Sequence, residues 1–214
     1  MVDTVGLVEE LVPKELEVTE EGVNERGVDK ESARGKQVLF IGAGKGHEME
    51  AVLNEFPGVK ATGLDPHDYF GPPVERRLKE AGHDVQYLHE TVHAGELKEV
   101  ADHSVDAVTL FFVLHHVDPS EYSGVMEELR RVLKDNGKIF IAEDLVDSQE
   151  EAAVVEWEDK KINAEVFSSS PHNYKSTEGW RQFFEKEGFT MKRVKEVKPG
   201  KVRHGFFVLV KKVE

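Results

Sequence analysis

Apolar residues in this chain fall into two rhythms. Five short runs, Val38–Ile41, Val59–Leu64, Val85–Leu88, Ala107–Phe112 and Lys138–Ala142, predict buried strands. Between them the apolar positions recur at helical spacing. Met49, Val52, Leu53 and Phe56 make one stripe, and Val125, Leu129, Val132 and Leu133 make another. Helices are therefore expected over 48–56, 72–81, 95–101 and 119–133. Pro72 and Pro73 suit a first helical turn, and Gly58 and Gly82 suit positions just past a helix end. Asp118-Pro119-Ser120-Glu121 has the composition of a capping box, which would start the fourth helix at Pro119. Regular alternation of strand and helix implies right-handed crossovers and a parallel sheet covered on both faces.

The two ends of the chain read differently. Ser176 to Lys186 predicts a helix with Gly188 just beyond it, and Thr190–Val197 and Val202–Val210 predict two strands. Pro199-Gly200 between those strands signals an antiparallel hairpin. Residues 1–37 contain no aromatic residue and many charges, mostly Glu. Leu7, Val8, Leu11 and Val12 recur at helical spacing until Pro13. A short amphipathic helix and a solvated connector are expected there, with a substrate cap as the alternative.

Composition then narrows the class. A length of 214 residues is enough for one sizeable core. The net charge of −14 disfavours phosphate backbones and anionic membrane faces, so neither nucleic acid nor membrane is expected as a partner. The excess is read as an ordinary acidic surface; salt adaptation is the alternative, visible as a melting temperature that rises with salt. The chain has no cysteine, which removes disulfides, thiolate metal sites, iron–sulfur clusters and cysteine nucleophiles. No stretch approaches the roughly 20 apolar residues of a membrane span. The first residues, MVDTVGLVEELV, lack the basic region of a secretion signal. A cytoplasmic protein, monomer or homodimer, is expected.

The chemistry should sit at VLFIGAGKGHE, residues 38–48, where a predicted strand runs into Gly42, Gly44 and Gly46 and then a helix. Glycines are needed where a backbone turns tightly and approaches a ligand without a β-carbon between. A helix start adds free N–H groups suited to a carboxylate or phosphate. A dinucleotide fingerprint would place its third glycine at position 47, which is His47. The next predicted strand ends at Asp65, about 20 residues on, where a carboxylate can accept both hydroxyls of a ribose.

VLFIGAGKGHE, GLDP, HSVDAVTLFFVLHHV and LRRVLKDNGKIFIAED together resemble the successive motifs of the class I S-adenosylmethionine-dependent methyltransferases. The resemblance covers residues 36–146, the last helix and the hairpin, and is nearest to small-molecule enzymes of the ubiquinone/menaquinone-biosynthesis type. It implies an α/β, Rossmann-like seven-stranded sheet, mostly parallel, with helices on both faces and an antiparallel C-terminal strand. It places an extension or cap at 1–35, the domain at 36–214 and a substrate-side insertion at 144–175. It implies S-adenosyl-L-methionine as cofactor. Gly42, Ala43, Gly44 and Gly46 would hold its methionine part, Asp65 and Pro66 its ribose, Glu90 and Thr91 its adenine. Phe112 and Val113 would line the methyl-transfer mouth, with Phe111 as a core residue. One departure is Phe40, which stands where the family commonly carries an acid; Glu48 is the candidate substitute.

A sulfonium already supplies its leaving group, so the protein has chiefly to place an acceptor in line and exclude water. Without cysteine, a covalent thiolate route to cytosine C5 is excluded. After the fourth predicted strand stands Phe112-Val113-Leu114-His115-His116, without the D/N-P-P-Y/F motif of exocyclic-amine nucleic-acid methyltransferases. A small-molecule acceptor remains. His115 and His172 are the candidate catalytic residues, and His116 is expected to pack against the helix at Pro119. Glu143, Asp144, Trp157, Phe167, His172 and Tyr174 are candidates to face the acceptor. Val154, Val155, Trp157 and Ile162 read as a packing stripe. A metal site from His115, His116 and His172 has no supporting spacing motif, so none is expected. The other readings are a non-catalytic cofactor-binding module acting through partners, and a nicotinamide oxidoreductase, which His47 and the hairpin oppose.

Overall fold

A computed structural model describes residues 33–67, 70–90, 97–162 and 173–212. The N-terminal helix expected around Leu7–Val12, and Thr91, Phe167 and His172, lie outside them.

The strands are β1 (Gln37–Ile41), β2 (Lys60–Leu64), β3 (Asp84–Leu88), β4 (Val105–Phe111), β5 (Leu133–Leu145), β6 (Phe189–Val197) and β7 (Arg203–Lys211). They form a seven-stranded sheet in the order β3-β2-β1-β4-β5-β7-β6. The first five pair in parallel, while β7 runs antiparallel to both β5 and β6. The expected doubly wound sheet with a reversed C-terminal strand is what the chain forms. Chain order reverses between β1 and β4, and such a switch point opens a crevice at the carboxyl ends of the strands.

The helices are α1 (His47–Glu55), α2 (Gly71–Glu80), α3 (Tyr122–Val132), α4 (Gln149–Ile162) and α5 (Thr177–Lys186). Strand alternation divides the core between two faces. Val38 and Phe40 of β1 pack with Met49, Val52 and Leu53 of α1 and Val74 and Leu78 of α2. Leu39 and Ile41 point the other way, into a cluster with Val125 and Leu129 of α3 and Trp180 and Phe184 of α5. Ser176 caps α5, its Oγ accepting the Gly179 N–H at 3.1 Å.

Three expectations need correction. The fourth predicted helix starts at Tyr122 and not at Pro119, with no side-chain cap. Asp118 is used instead in a tight turn, where its Oδ1 accepts the Ser120 N–H at 2.8 Å and hydroxyl at 2.6 Å. The part of 95–101 that is described, Leu97–Ala101, is turn rather than helix. Its carbonyls are bound from outside, since the Arg131 guanidinium donates to Leu97 O at 2.9 Å and Val100 O at 3.0 Å. On α4 the Val154–Trp157 stripe does not form. Val155 and Asp159, one turn apart, are buried, while Trp157 is 56% exposed with Lys161 over its ring.

Candidate functional site

The turn after β1 is built from backbone. Ala43 N–H donates to Leu64 O at 2.9 Å, and Gly46 N–H to Ala43 O at 2.8 Å. Gly42 and Gly44 sit at φ +67° and +46°, which only glycine adopts without strain. A β-carbon on Gly42 would stand 2.5 Å from Val113 Cγ2, so the turn rests directly on the loop after β4. Gly44 differs, because a β-carbon there would meet nothing nearer than 3.9 Å. Gly44 thus presents bare backbone to open space beside Asp65, which is room for a ligand.

Asp65, at the carboxyl end of β2, is 6% exposed. Its Oδ2 accepts the Gly44 N–H at 2.9 Å. Its Oδ1 accepts the backbone N–H of His67 at 2.9 Å and faces His67 Nδ1 at 3.0 Å. A carboxylate offers about four acceptor sites, so one remains for a ribose hydroxyl, and release of the His67 ring opens a second. Pro66 follows, its carbonyl accepting from His89 Nε2 at 2.7 Å. That bond carries the end of β3, and with it half-buried Glu90, alongside the Asp65 turn. The structure therefore gathers Gly42, Ala43, Gly44, Asp65, Pro66 and Glu90 at one end of the sheet, with Gly46 closing the turn into α1.

Tyr87 was not foreseen. Its hydroxyl donates to Gly44 O at 2.9 Å, and its N–H donates to Glu75 Oε2 at 2.9 Å. Burial first, then the nearby Asp65 charge, push its phenol pKa well up, so it stays a donor. A tyrosine in a short edge strand carries no motif, and only the register of β2 on β3, Gly63 opposite Tyr87, brings it to the glycine turn.

Phe40 is buried in the α1–α2 side of the core, consistent with its apolar character. Glu48, the candidate substitute for the missing acid, is half-buried in the first turn of α1. Phe111 packs against the same core, as expected.

A second polar cluster lies where the loop after β4 meets the end of β5. Phe112 takes φ +57°, its N–H donating to Ala142 O at 2.7 Å, and its ring stands edge-on to His204. A non-glycine residue held there stores about 1–2 kcal/mol, a cost found mostly at functional sites. Glu143 is completely buried. Its Oε1 accepts the N–H groups of Val113 at 3.1 Å and Leu114 at 2.7 Å, and its Oε2 accepts from His115 Nδ1 at 2.6 Å. Next to it, Asp144 Oδ1 accepts from His204 Nδ1 at 2.6 Å.

His115, with no exposed surface, lies in a short 3-10 turn, Leu114–His116. The Tyr174 ring lies over it at 5.1 Å, and its own carbonyl accepts the Asn173 N–H at 2.9 Å. Burial pulls the imidazole pKa down, but Glu143, with Asp159 and Asp144, outweighs it and leaves the pKa raised. His116 follows His115 in the same turn. Its ring lies 4.0 Å from that of His115, and its Nε2 faces Asp159 of α4 at 3.8 Å. Glu143, Asp144 and Tyr174 thus join the cluster, whereas Trp157 points outward.

Comparison with known proteins agrees with this architecture. Residues 39–141 match a family model described as "Methyltransferase domain". The thiol S-methyltransferase TMT1B of Homo sapiens is 34% identical over 113 residues, 52% of this chain and 44% of that protein. The ubiquinone biosynthesis O-methyltransferase of Salmonella paratyphi A is 33% identical over 111 residues, 50% of this chain and 42% of that protein. The alignments thus span less than half of each relative. Among solved structures, a 1,6-didemethyltoxoflavin-N1-methyltransferase of Burkholderia thailandensis, with 1,6-didemethyltoxoflavin and S-adenosylhomocysteine bound, has a TM-score of 0.67. It shares 17% identity, covering 84% of this chain and 72% of that one.

Residues 39–141 are thus similar to a methyltransferase domain, on a fold shared with an enzyme that holds S-adenosylhomocysteine, and S-adenosyl-L-methionine is the cofactor of such domains. The open space over Gly44 and the acceptor oxygens of Asp65 fit such a nucleoside. Bound there, it would supply an electrophilic methyl group on sulfur. Among the described residues no helix is long and apolar enough to cross a membrane.

Proposed function

We propose that this chain transfers the methyl group of S-adenosyl-L-methionine to a small-molecule acceptor by in-line displacement. The observation that supports this most is the side-chain-free turn at Gly44, pinned to Asp65 with open space above it. In this reading Gly42, Ala43, Gly44 and Gly46 cradle the amino-acid end of the cofactor. Asp65 and Pro66 hold the ribose, Glu90 and Thr91 the adenine, and Phe112 and Val113 the sulfonium side. The chain's contribution to rate is placement and exclusion of water, since the leaving group needs no help.

The surroundings of His115 bear on the acceptor. Its ring has no exposed surface and its Nδ1 is committed to Glu143, which suits a positioning role better than direct proton abstraction. We therefore assign His115 to holding the loop after β4, and favour acceptors that ionise readily, such as thiols with an ordinary pKa near 8.5 and acidic phenols. The named activities of the thiol and ubiquinone-pathway relatives support those two classes. His172 remains the candidate acceptor-side histidine. The reading includes a cytoplasmic protein, monomer or homodimer, with no nucleic-acid partner.

S-adenosylhomocysteine release, followed over thiols, phenols, amines and quinone precursors, tests this reading. Turnover with a thiol or phenol supports it. A second reading, a non-catalytic cofactor-binding module, draws on Phe40 in place of the usual acid. Binding of S-adenosylhomocysteine without turnover across the whole panel would favour it.

A further inference from the structure

We propose that His115, His116 and Asp159 form a site for one divalent transition-metal ion of the zinc class. One ligand atom from each of these residues lies within 4.8 Å of the others. Asp159 Oδ1 stands 3.8 Å from His115 Nε2 and 3.8 Å from His116 Nε2. Those separations are too long for hydrogen bonds. A tetrahedral ion with bonds of about 2.0–2.1 Å spaces its ligands about 3.3 Å apart, so each of the two separations from Asp159 needs to close by only about half an ångström.

Four further observations point to a cation rather than to chance proximity. The His115 and Asp159 residues are buried, and the His116 side chain is 7% exposed. His115 Nε2 is fully buried and makes no hydrogen bond among the described residues, whereas buried polar atoms are normally satisfied. The other nitrogen of the same ring is held at 2.6 Å by Glu143, which two backbone N–H groups fix in turn. This is the carboxylate–histidine arrangement that orients a metal-bound imidazole and sets its tautomer. Finally, Glu143 and Asp159 bring two carboxylates into the same buried volume, and a dication balances both. Two imidazoles and one carboxylate suit zinc or cobalt, with a fourth position left for water.

Untagged protein, stripped with a chelator and titrated with Co²⁺, gives the test. The expected result is a visible d–d absorption that saturates at one equivalent, disappears on adding Zn²⁺, and accompanies a rise in melting temperature. Asp159→Asn and, independently, His116→Gln should each weaken Co²⁺ binding at least tenfold, and Glu143→Gln should weaken it 10- to 100-fold. His103→Gln, altering an exposed histidine elsewhere, should leave binding unchanged. Absence of a saturable band, or one that survives both His116→Gln and Asp159→Asn, would overturn the site and leave His115 as an imidazolium between two carboxylates. Neither result depends on the acceptor or on turnover, so failure here leaves the proposed methyl transfer standing.

Discussion

The backbone N–H of Gly44 donates to Oδ2 of Asp65 at 2.9 Å, tying the turn after β1 to the end of β2. The bond fixes the carboxylate at the rim of the crevice and leaves the face of Gly44 bare. Filling that face should therefore hurt binding more than folding. Gly44→Val is expected to fold with a loss of about 1–2 kcal/mol from its left-handed φ. S-adenosylhomocysteine affinity should fall at least tenfold, measured by calorimetry beside a thermal melt.

Gly42 answers to a different constraint. Gly42→Ala adds a β-carbon 2.5 Å from Val113 Cγ2 to the same kind of strained φ. Gly82, at φ +88°, has nothing within 4 Å of a built β-carbon. The pair separates strain from collision. Urea denaturation should show Gly82→Ala costing about 1–2 kcal/mol and Gly42→Ala costing at least about 1 kcal/mol more.

Removal of the Tyr87 hydroxyl should loosen the turn without emptying the core. Tyr87→Phe deletes the donor to Gly44 O and is expected to cost about 1 kcal/mol of stability. S-adenosylhomocysteine should bind several-fold more weakly. An unchanged dissociation constant would show that the turn is rigid without this bond.

Glu143 gathers three donors at the end of β5, so its loss should be severe. Glu143→Ala strands two backbone N–H groups and the His115 ring in a fully buried place. A destabilisation of about 3–5 kcal/mol is expected from chemical denaturation. Glu143→Gln keeps one acceptor oxygen and should lose less.

Much of this was legible from sequence because it is periodic or local. The strands from Val38 to Ala142, the stripe from Met49 to Phe56 and the hairpin at Pro199-Gly200 each follow from spacing within a few residues. The glycine turn and Asp65 were legible because a tight turn and a strand-end acid leave a local pattern. What escaped depends on distant pairing. Tyr87 reaches Gly44 only through the register of β3 on β2, and Asp159 meets His115 and His116 only because α4 returns over the loop after β4. Asp118 misled because an aspartate before proline serves a helix cap and a tight turn equally well.

The most direct measurement of the central claim is calorimetry of S-adenosylhomocysteine with the native chain and with Asp65→Ala. The native chain should bind one equivalent, and the variant, folded by circular dichroism, should bind at least tenfold more weakly. Equal affinity in the two proteins, or no binding by the native chain, would contradict the assignment of this crevice to the cofactor.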